Sequence, residues 1–216
     1  IKNLEFSYLN NKIFENLNLF IKARSKIAII GKNGAGKTTF ADLLCRFLKA
    51  NNGDIFIGNE KIGENDYINF SSYLVKLEQT PIIFDDTLKN NLLLAKNSAK
   101  EEELIDCLKK TGMCKWFRNL QKGLNTNLLE SGANLSGGQK QRLALSRLIL
   151  LNPKIIILDE FTSSIDEKDS TWFYENISTI FPNSTIIAIT HNLNMLSHFD
   201  KVYLLENKTL KEYKNV

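Results

Sequence analysis

The sequence predicts an α/β fold: a mostly parallel central sheet with an antiparallel β edge near its start and an inserted α-helical segment. Three observations carry that prediction. Short apolar runs rich in β-branched residues recur at Lys26–Ile30, Ile155–Leu158, Ile186–Ile189 and Val202–Leu205, as in strands buried on both faces. Helical patterns at Lys37–Lys49, Gln139–Leu151 and Glu167–Ile180 lie between and around those runs, which is the order of a layered sheet and helices. From about Thr80 to Leu145 the strand signals disappear.

Taken in order, Leu4–Phe6 and Leu17–Ile21 alternate apolar and polar residues around Asn10 and Asn11, which predicts an antiparallel hairpin, and Asp54–Ile57 is expected to join it. The first helix is expected to stop at Asn51, Asn52 and Gly53. Thr87–Leu94, Glu101–Lys110 and Lys115–Leu120 read as helices. They predict a helical subdomain over about 80–145, inserted in a core of about 1–79 and 146–216. There is no internal repeat, low-complexity tract or flexible linker.

A chain of 216 residues that is 43% hydrophobic and 24% charged suits one domain with its own core. The charge of +4 arises from 28 basic and 24 acidic side chains mixed along the chain, so nothing points to nucleic acid. Cys45, Cys107 and Cys114 lack paired zinc-type spacing and read as reduced thiols. His191 and His198 are the 2 histidines, too few for a histidine-rich metal site. No run approaches the roughly 18 to 20 apolar residues of a bilayer span, so the chain is expected to be soluble as written. It opens on Ile1, not Met, and is expected to be a piece of a longer protein.

Gly31–Thr38 reads GKNGAGKT, a full match to G-x-x-x-x-G-K-[ST], directly after a predicted strand and before a predicted helix. Glycines 31, 34 and 36 let the backbone turn its N–H groups towards phosphate oxygens, and the helix adds the positive end of its dipole. Lys37 then reaches the β- and γ-phosphates and Thr38 ligates Mg²⁺; Lys32, Asn33, Ala35 and Thr39 complete the expected nucleotide-binding stretch. Asp159 and Glu160 end a buried strand where open α/β sheets hold a nucleotide's metal. Asp159 is assigned to Mg²⁺ through water and Glu160 to the attacking water. His191, after the run IIAIT, is expected at the same sheet edge if the strands are parallel neighbours. On its own it is more often a structural histidine than a functional one.

Leu135–Gln139 reads LSGGQ before a helical pattern, with Ser136 and Gln139 spaced as a capping box. With this segment closely followed by the Asp-Glu strand, the chain resembles the nucleotide-binding domain of ATP-binding-cassette (ABC) proteins over essentially its whole length. The resemblance implies a RecA-like P-loop NTPase core, ATP as ligand with Mg²⁺, and ATPase activity. Gly31–Thr38 looks like Walker A, Ile155–Asp159 like Walker B, and Glu160 like the catalytic carboxylate. His191 resembles the switch histidine, Gln79 the Q-loop glutamine that senses Mg²⁺ and the γ-phosphate, and Tyr8 the aromatic stacked on adenine. Leu135, Ser136, Gly137, Gly138 and Gln139 resemble the signature that completes the site of a second subunit. Ser163, Ser164, Ile165 and Asp166 resemble the D-loop that contacts that subunit. The implied partner is a second such domain, identical or not, in a head-to-tail dimer that hydrolysis opens.

LLESGANLSGGQ is similar to the exporter segment TxVGExGxxLSGGQ, with Glu130 and Gly132 at recognisable positions and Leu128-Leu129 in place of the usual Val-Gly. IIFDDTLKNNL is likewise similar to the exporter stretch after the Q-loop. DEFTSSID departs from DEATSALD at Phe161 and Ser164. The branch implied is an export-type transporter at the cytoplasmic face of the inner membrane, with its membrane domain N-terminal in the same chain. The alternatives are a non-transport ABC ATPase of translation or DNA repair, which normally carries a second cassette or a coiled-coil insertion, and a catalytically silent regulatory module. The transported substrate is not readable from these residues.

Overall fold

A computed structural model describes residues 1–63, 73–163 and 165–213. The main sheet is built by runs in which consecutive residues, not alternate ones, are buried. Strands β3 (Lys26–Ile30), β8 (Ile155–Asp159) and β9 (Thr185–Ile189) show this pattern, which requires covering on both faces. With β7 (Leu74–Leu77), β10 (Lys201–Glu206) and β11 (Thr209–Glu212), they form a sheet in the order β11-β10-β3-β9-β8-β7. The β10–β3, β3–β9 and β9–β8 pairs are parallel and β10–β11 is antiparallel.

Register decides where the strands end. Ile29 lies opposite Ile189, and Ile189 lies opposite Asp159. The carboxyl ends of β3, β9 and β8 are therefore level, and the residues that continue from them emerge at one edge.

The opening residues form β1 (Lys2–Tyr8) and β2 (Asn11–Leu17), antiparallel, with β4 (Asn52–Asp54) on the other side of β1. The second strand of the predicted hairpin thus lies earlier than Leu17–Ile21. Register shifts between Leu4 and Phe6 and between Phe6 and Ser7 break the period of two, so alternation misplaces it. Asp54 joins this sheet as expected, whereas Phe56–Ile57 (β5) pairs instead with Glu60–Lys61 (β6).

Helix α1 spans Lys37–Leu44, shorter than Lys37–Lys49. Arg46 turns to a φ of 61° and its guanidinium donates to the Ile62 carbonyl, so the chain leaves the helical path although Phe47 and Leu48 continue the apolar pattern. β7 has no counterpart in the predicted strands, because Lys76 interrupts its apolar run. β11 has none either.

The chain packs as two compact units. The first is Ile1–Lys76, Lys154–Ser163 and Asn183–Val216; the second is Leu77–Pro153 and Ser164–Pro182. The second contains helices α2 (Leu88–Leu93), α3 (Glu101–Lys110), α4 (Cys114–Arg118), α5 (Gly137–Leu151) and α6 (Glu167–Ile180). Leu88, Leu92, Leu104, Leu108, Leu128 and Leu143 are fully buried in its core. Each such side chain contributes about 1.5–3 kcal/mol by leaving water.

Candidate functional site

Gly31–Thr38 joins the end of β3 to the start of α1. Gly36 is the N-cap of α1, at a φ of 103°. A Cβ there would sit 2.6 Å from Ile13 Cγ2, so both conformation and space demand glycine at that position. The first-turn N–H groups that follow have no intrahelical partner and present a donor set suited to an anion.

Lys37 is buried, and its Nζ donates to the carbonyls of Gly31 at 3.0 Å and Lys32 at 3.2 Å. Burial holds its ammonium below the ordinary lysine pKa, and the charges of Glu160 and Asp159 act against that shift. Thr38, one residue on, is exposed; its hydroxyl donates to Asp159 Oδ1 at 3.4 Å. Lys32, Asn33 and Gly34 are exposed, while Ala35, Gly36 and Thr39 are partly so.

Asp159, buried at the end of β8, also accepts from Lys76 Nζ at 3.1 Å, and Lys76 reaches Asp42 Oδ1 at 2.8 Å. Burial alone pulls the Lys76 pKa down. Hydrogen bonds to Asp42 and Asp159, and their charges, outweigh it and raise the value well above the ordinary one. Neither Lys76 nor Asp42 stands out in the sequence. The only signal there is a lysine inside an apolar run.

Glu160 leaves β8 with a φ of 51°, the left-handed region that few non-glycine residues adopt. Its N–H still donates to the Ile189 carbonyl at 3.0 Å, and its own carbonyl accepts from Ser163 Oγ at 2.7 Å. The backbone is thus held on both sides, while the carboxylate meets His191: Oε1 lies 2.6 Å from Nε2. Both side chains are partly exposed, at 33% and 42%, so a water molecule can reach the pair. The level strand ends bring Lys37, Thr38, Asp159, Glu160 and His191 to one edge of the first unit.

Among the described residues, no three His, Cys, Asp or Glu side chains converge as a metal cage. Thr38 and Asp159 offer a two-oxygen edge instead. That suits Mg²⁺, which keeps several waters and takes substrate phosphate oxygens.

Tyr8, at the end of β1, is 47% exposed and packs edge-on against Phe6, with ring centroids 4.8 Å apart. One flank of its ring is thus occupied by packing. Gln79 is exposed and belongs to the second unit.

In the second unit, Ser136 caps α5: its hydroxyl accepts from Gln139 N–H at 3.2 Å and its N–H donates to Gln139 Oε1 at 2.9 Å. The predicted capping box is present, and Ser136 and Gly137 remain exposed. Gly138 has a reason that spacing does not reveal. A Cβ there would lie 1.9 Å from Asp169 Oδ2, and Asp169 is the carboxylate held by Arg142 at 2.8 Å. Leu135 is buried in the core of this unit.

Of the predicted D-loop, Ser163 closes the turn on Glu160, Ile165 is half-buried and Asp166 caps α6 through Asp169 N–H at 2.8 Å. Ser164 lies outside the described residues. Asn91, in the exporter-like stretch IIFDDTLKNNL, is fully buried; it bonds both the N–H and the carbonyl of Phe84 and accepts from Arg147.

A family model described as "ABC transporter" matches residues 14–163. A Rickettsia typhi protein named as an export ATP-binding/permease protein is 35% identical over 208 residues, covering 95% of this chain and 36% of the relative. A Staphylococcus aureus protein named as a multidrug export ATP-binding/permease protein is 33% identical over 214 residues, 98% of this chain and 37% of the relative. The solved structure of a bacterial Atm1-family ABC exporter with ATP bound superposes at a TM-score of 0.88 with 30% identity, covering 98% of this chain and 37% of that one. The chain therefore spans little more than a third of the length of these relatives.

Proposed function

The chain belongs to the ABC transporter family, and from that premise we propose that it is one nucleotide-binding domain of an exporter, hydrolysing ATP to drive transport by a membrane domain. The observation that carries the hydrolytic reading is the 2.6 Å contact between Glu160 and His191 beside the phosphate loop. An ATP-binding module without hydrolysis does not require that pair.

In this reading the backbone of Gly31–Thr39 cradles the phosphates. Lys37 leaves its two carbonyl partners for the β- and γ-oxygens, and Tyr8 offers its exposed ring face to adenine. Thr38, and Asp159 through water, would hold Mg²⁺, which would neutralise charge on the phosphates. Glu160 accepts hydrogen bonding from the attacking water, and His191 fixes the carboxylate for that task. The role of Gln79 rests on the resemblance alone.

Ser136–Gln139 present a second anion-suited helix start, and a second copy in head-to-tail arrangement places it on the γ-phosphate of the first. Ser163–Asp166 then face the same junction. Export rather than another ABC activity is supported by Glu130 and Gly132 before the signature and by the names of the relatives. Among the described residues, no helix is long and apolar enough to cross a membrane. In this reading the span is made by the part of the full protein that the permease relatives carry and this chain does not.

Glu160→Gln tests the assignment. Nucleotide binding should stay within about two-fold, hydrolysis should fall by at least about 100-fold, and ATP-loaded dimers should accumulate on gel filtration. Hydrolysis at the wild-type rate refutes the role of Glu160.

A further inference from the structure

Beside the phosphate loop and the Glu160–His191 pair, Asp42, Lys76 and Asp159 form a charge cluster in which the Lys76 and Asp159 side chains are buried and Asp42 is partly so. Thr38 and Asp42 stand four residues apart on α1, hence on one face of it. Lys76 comes from β7, the strand beside β8. Its side chain is 6% exposed and its ammonium bridges Asp42 Oδ1 at 2.8 Å and Asp159 Oδ2 at 3.1 Å. The other oxygen of Asp159, Oδ1, takes the Thr38 hydroxyl at 3.4 Å. The two oxygens of one carboxylate are thus divided between an ammonium and a hydroxyl.

We infer that Lys76 is a positioning residue for the metal edge: by holding Oδ2 of Asp159 it fixes the carboxylate plane so that Oδ1 stays beside Thr38. This rests on the Mg²⁺ role proposed for Thr38 and Asp159. A carboxylate at a strand end rotates freely about its last bond unless both oxygens are engaged, and a partner behind a ligand commonly governs metal affinity. Asp42 completes the device. It balances the ammonium, so that Lys76 does not neutralise Asp159 outright. The plainer alternative is an internal ion pair that merely ties β7 to α1; it predicts a change in stability and none in metal affinity.

The two are separated by Mn²⁺ binding to the full chain in the presence of ADP, read from the free-Mn²⁺ electron paramagnetic resonance signal. Metal-free ADP binding and thermal unfolding are followed alongside. Lys76→Met combined with Asp42→Asn removes one positive and one negative charge together, so the net charge of the cluster is unchanged and Asp159 keeps the Thr38 hydroxyl as a partner. ADP binding without metal should stay within about two-fold, while the Kd for Mn²⁺ rises about ten-fold. An unchanged or tighter Mn²⁺ Kd in that folded variant overturns the inference.

Asp42→Asn alone keeps Lys76 on Asp159 and should leave the Mn²⁺ Kd within about three-fold; if it reproduces the full loss, Asp42 and not Lys76 is responsible and the inference fails. Should the double variant not fold, Lys76→Gln makes the same comparison, and an unweakened Mn²⁺ Kd there counts against Lys76 equally. Asp159→Asn tells the two readings apart. If it leaves Mn²⁺ binding intact, the metal edge itself is wrong; if it abolishes binding while the Lys76 variants do not, only the positioning role falls.

Discussion

A buried side chain and an exposed one of the same chemistry behave differently, and the cysteines make that measurable. Burial pushes the thiols of Cys45 and Cys107 up to about 12. Because the thiolate is the reactive form, raising the pKa keeps both protonated at pH 8. Cys114 is only partly buried. A thiol reagent at pH 8 should therefore modify one cysteine quickly in the folded protein and all three after denaturation. Rapid labelling of more than one under native conditions contradicts the packing. At this same scale the phosphate loop is fully legible in the sequence, since its spacing states its geometry. Lys76 is not, because a lysine in an apolar run reads as an interruption unless its two carboxylate partners, distant in sequence, are known to meet it.

Among the elements, legibility follows periodicity. β3, β8, β9 and β10 are readable because buried runs need no phase, and α3 and α6 have the predicted bounds of Glu101–Lys110 and Glu167–Ile180. The hairpin is misplaced because bulges in β1 and β2 spoil alternation, and α1 is overextended because a single left-handed residue, Arg46, ends it. The turn before the signature carries another such residue. Leu129 has φ 55° and ψ 171°, a region almost reserved for glycine, with its side chain 49% exposed. Little burial is lost by removing that side chain. Leu129→Gly should stabilise the chain by about 1 kcal/mol, the relief of strain of about 1–3 kcal/mol less the entropy glycine loses. A urea midpoint that falls on substitution rejects this reading of the turn.

For the whole molecule, the proposal that one chain cannot complete its own site has a kinetic form. If dimerisation limits turnover, the ATPase rate of the wild-type chain should rise with nearly the square of protein concentration when dilute, and become linear only when dimers dominate. Strict proportionality from the lowest concentration upwards removes the shared site. Nothing in the local patterns of Ser136–Gln139 discloses such a dependence, since a capped helix start looks alike whether or not a second molecule uses it. Only the resemblance of the motif to a family supplies that expectation.

The left-handed backbone of Glu160 bears on how such a protein diverges. A catalytic carboxylate in ordinary helical or extended backbone is guarded twice against change to glycine, once by the stability glycine costs there and once by activity. Here glycine or asparagine suits the backbone better than glutamate does. With the role proposed for Glu160, a single change at this position is expected to yield a chain that folds and retains ATP yet no longer turns it over. After a gene duplication, one copy of the domain can thus fall silent without being discarded.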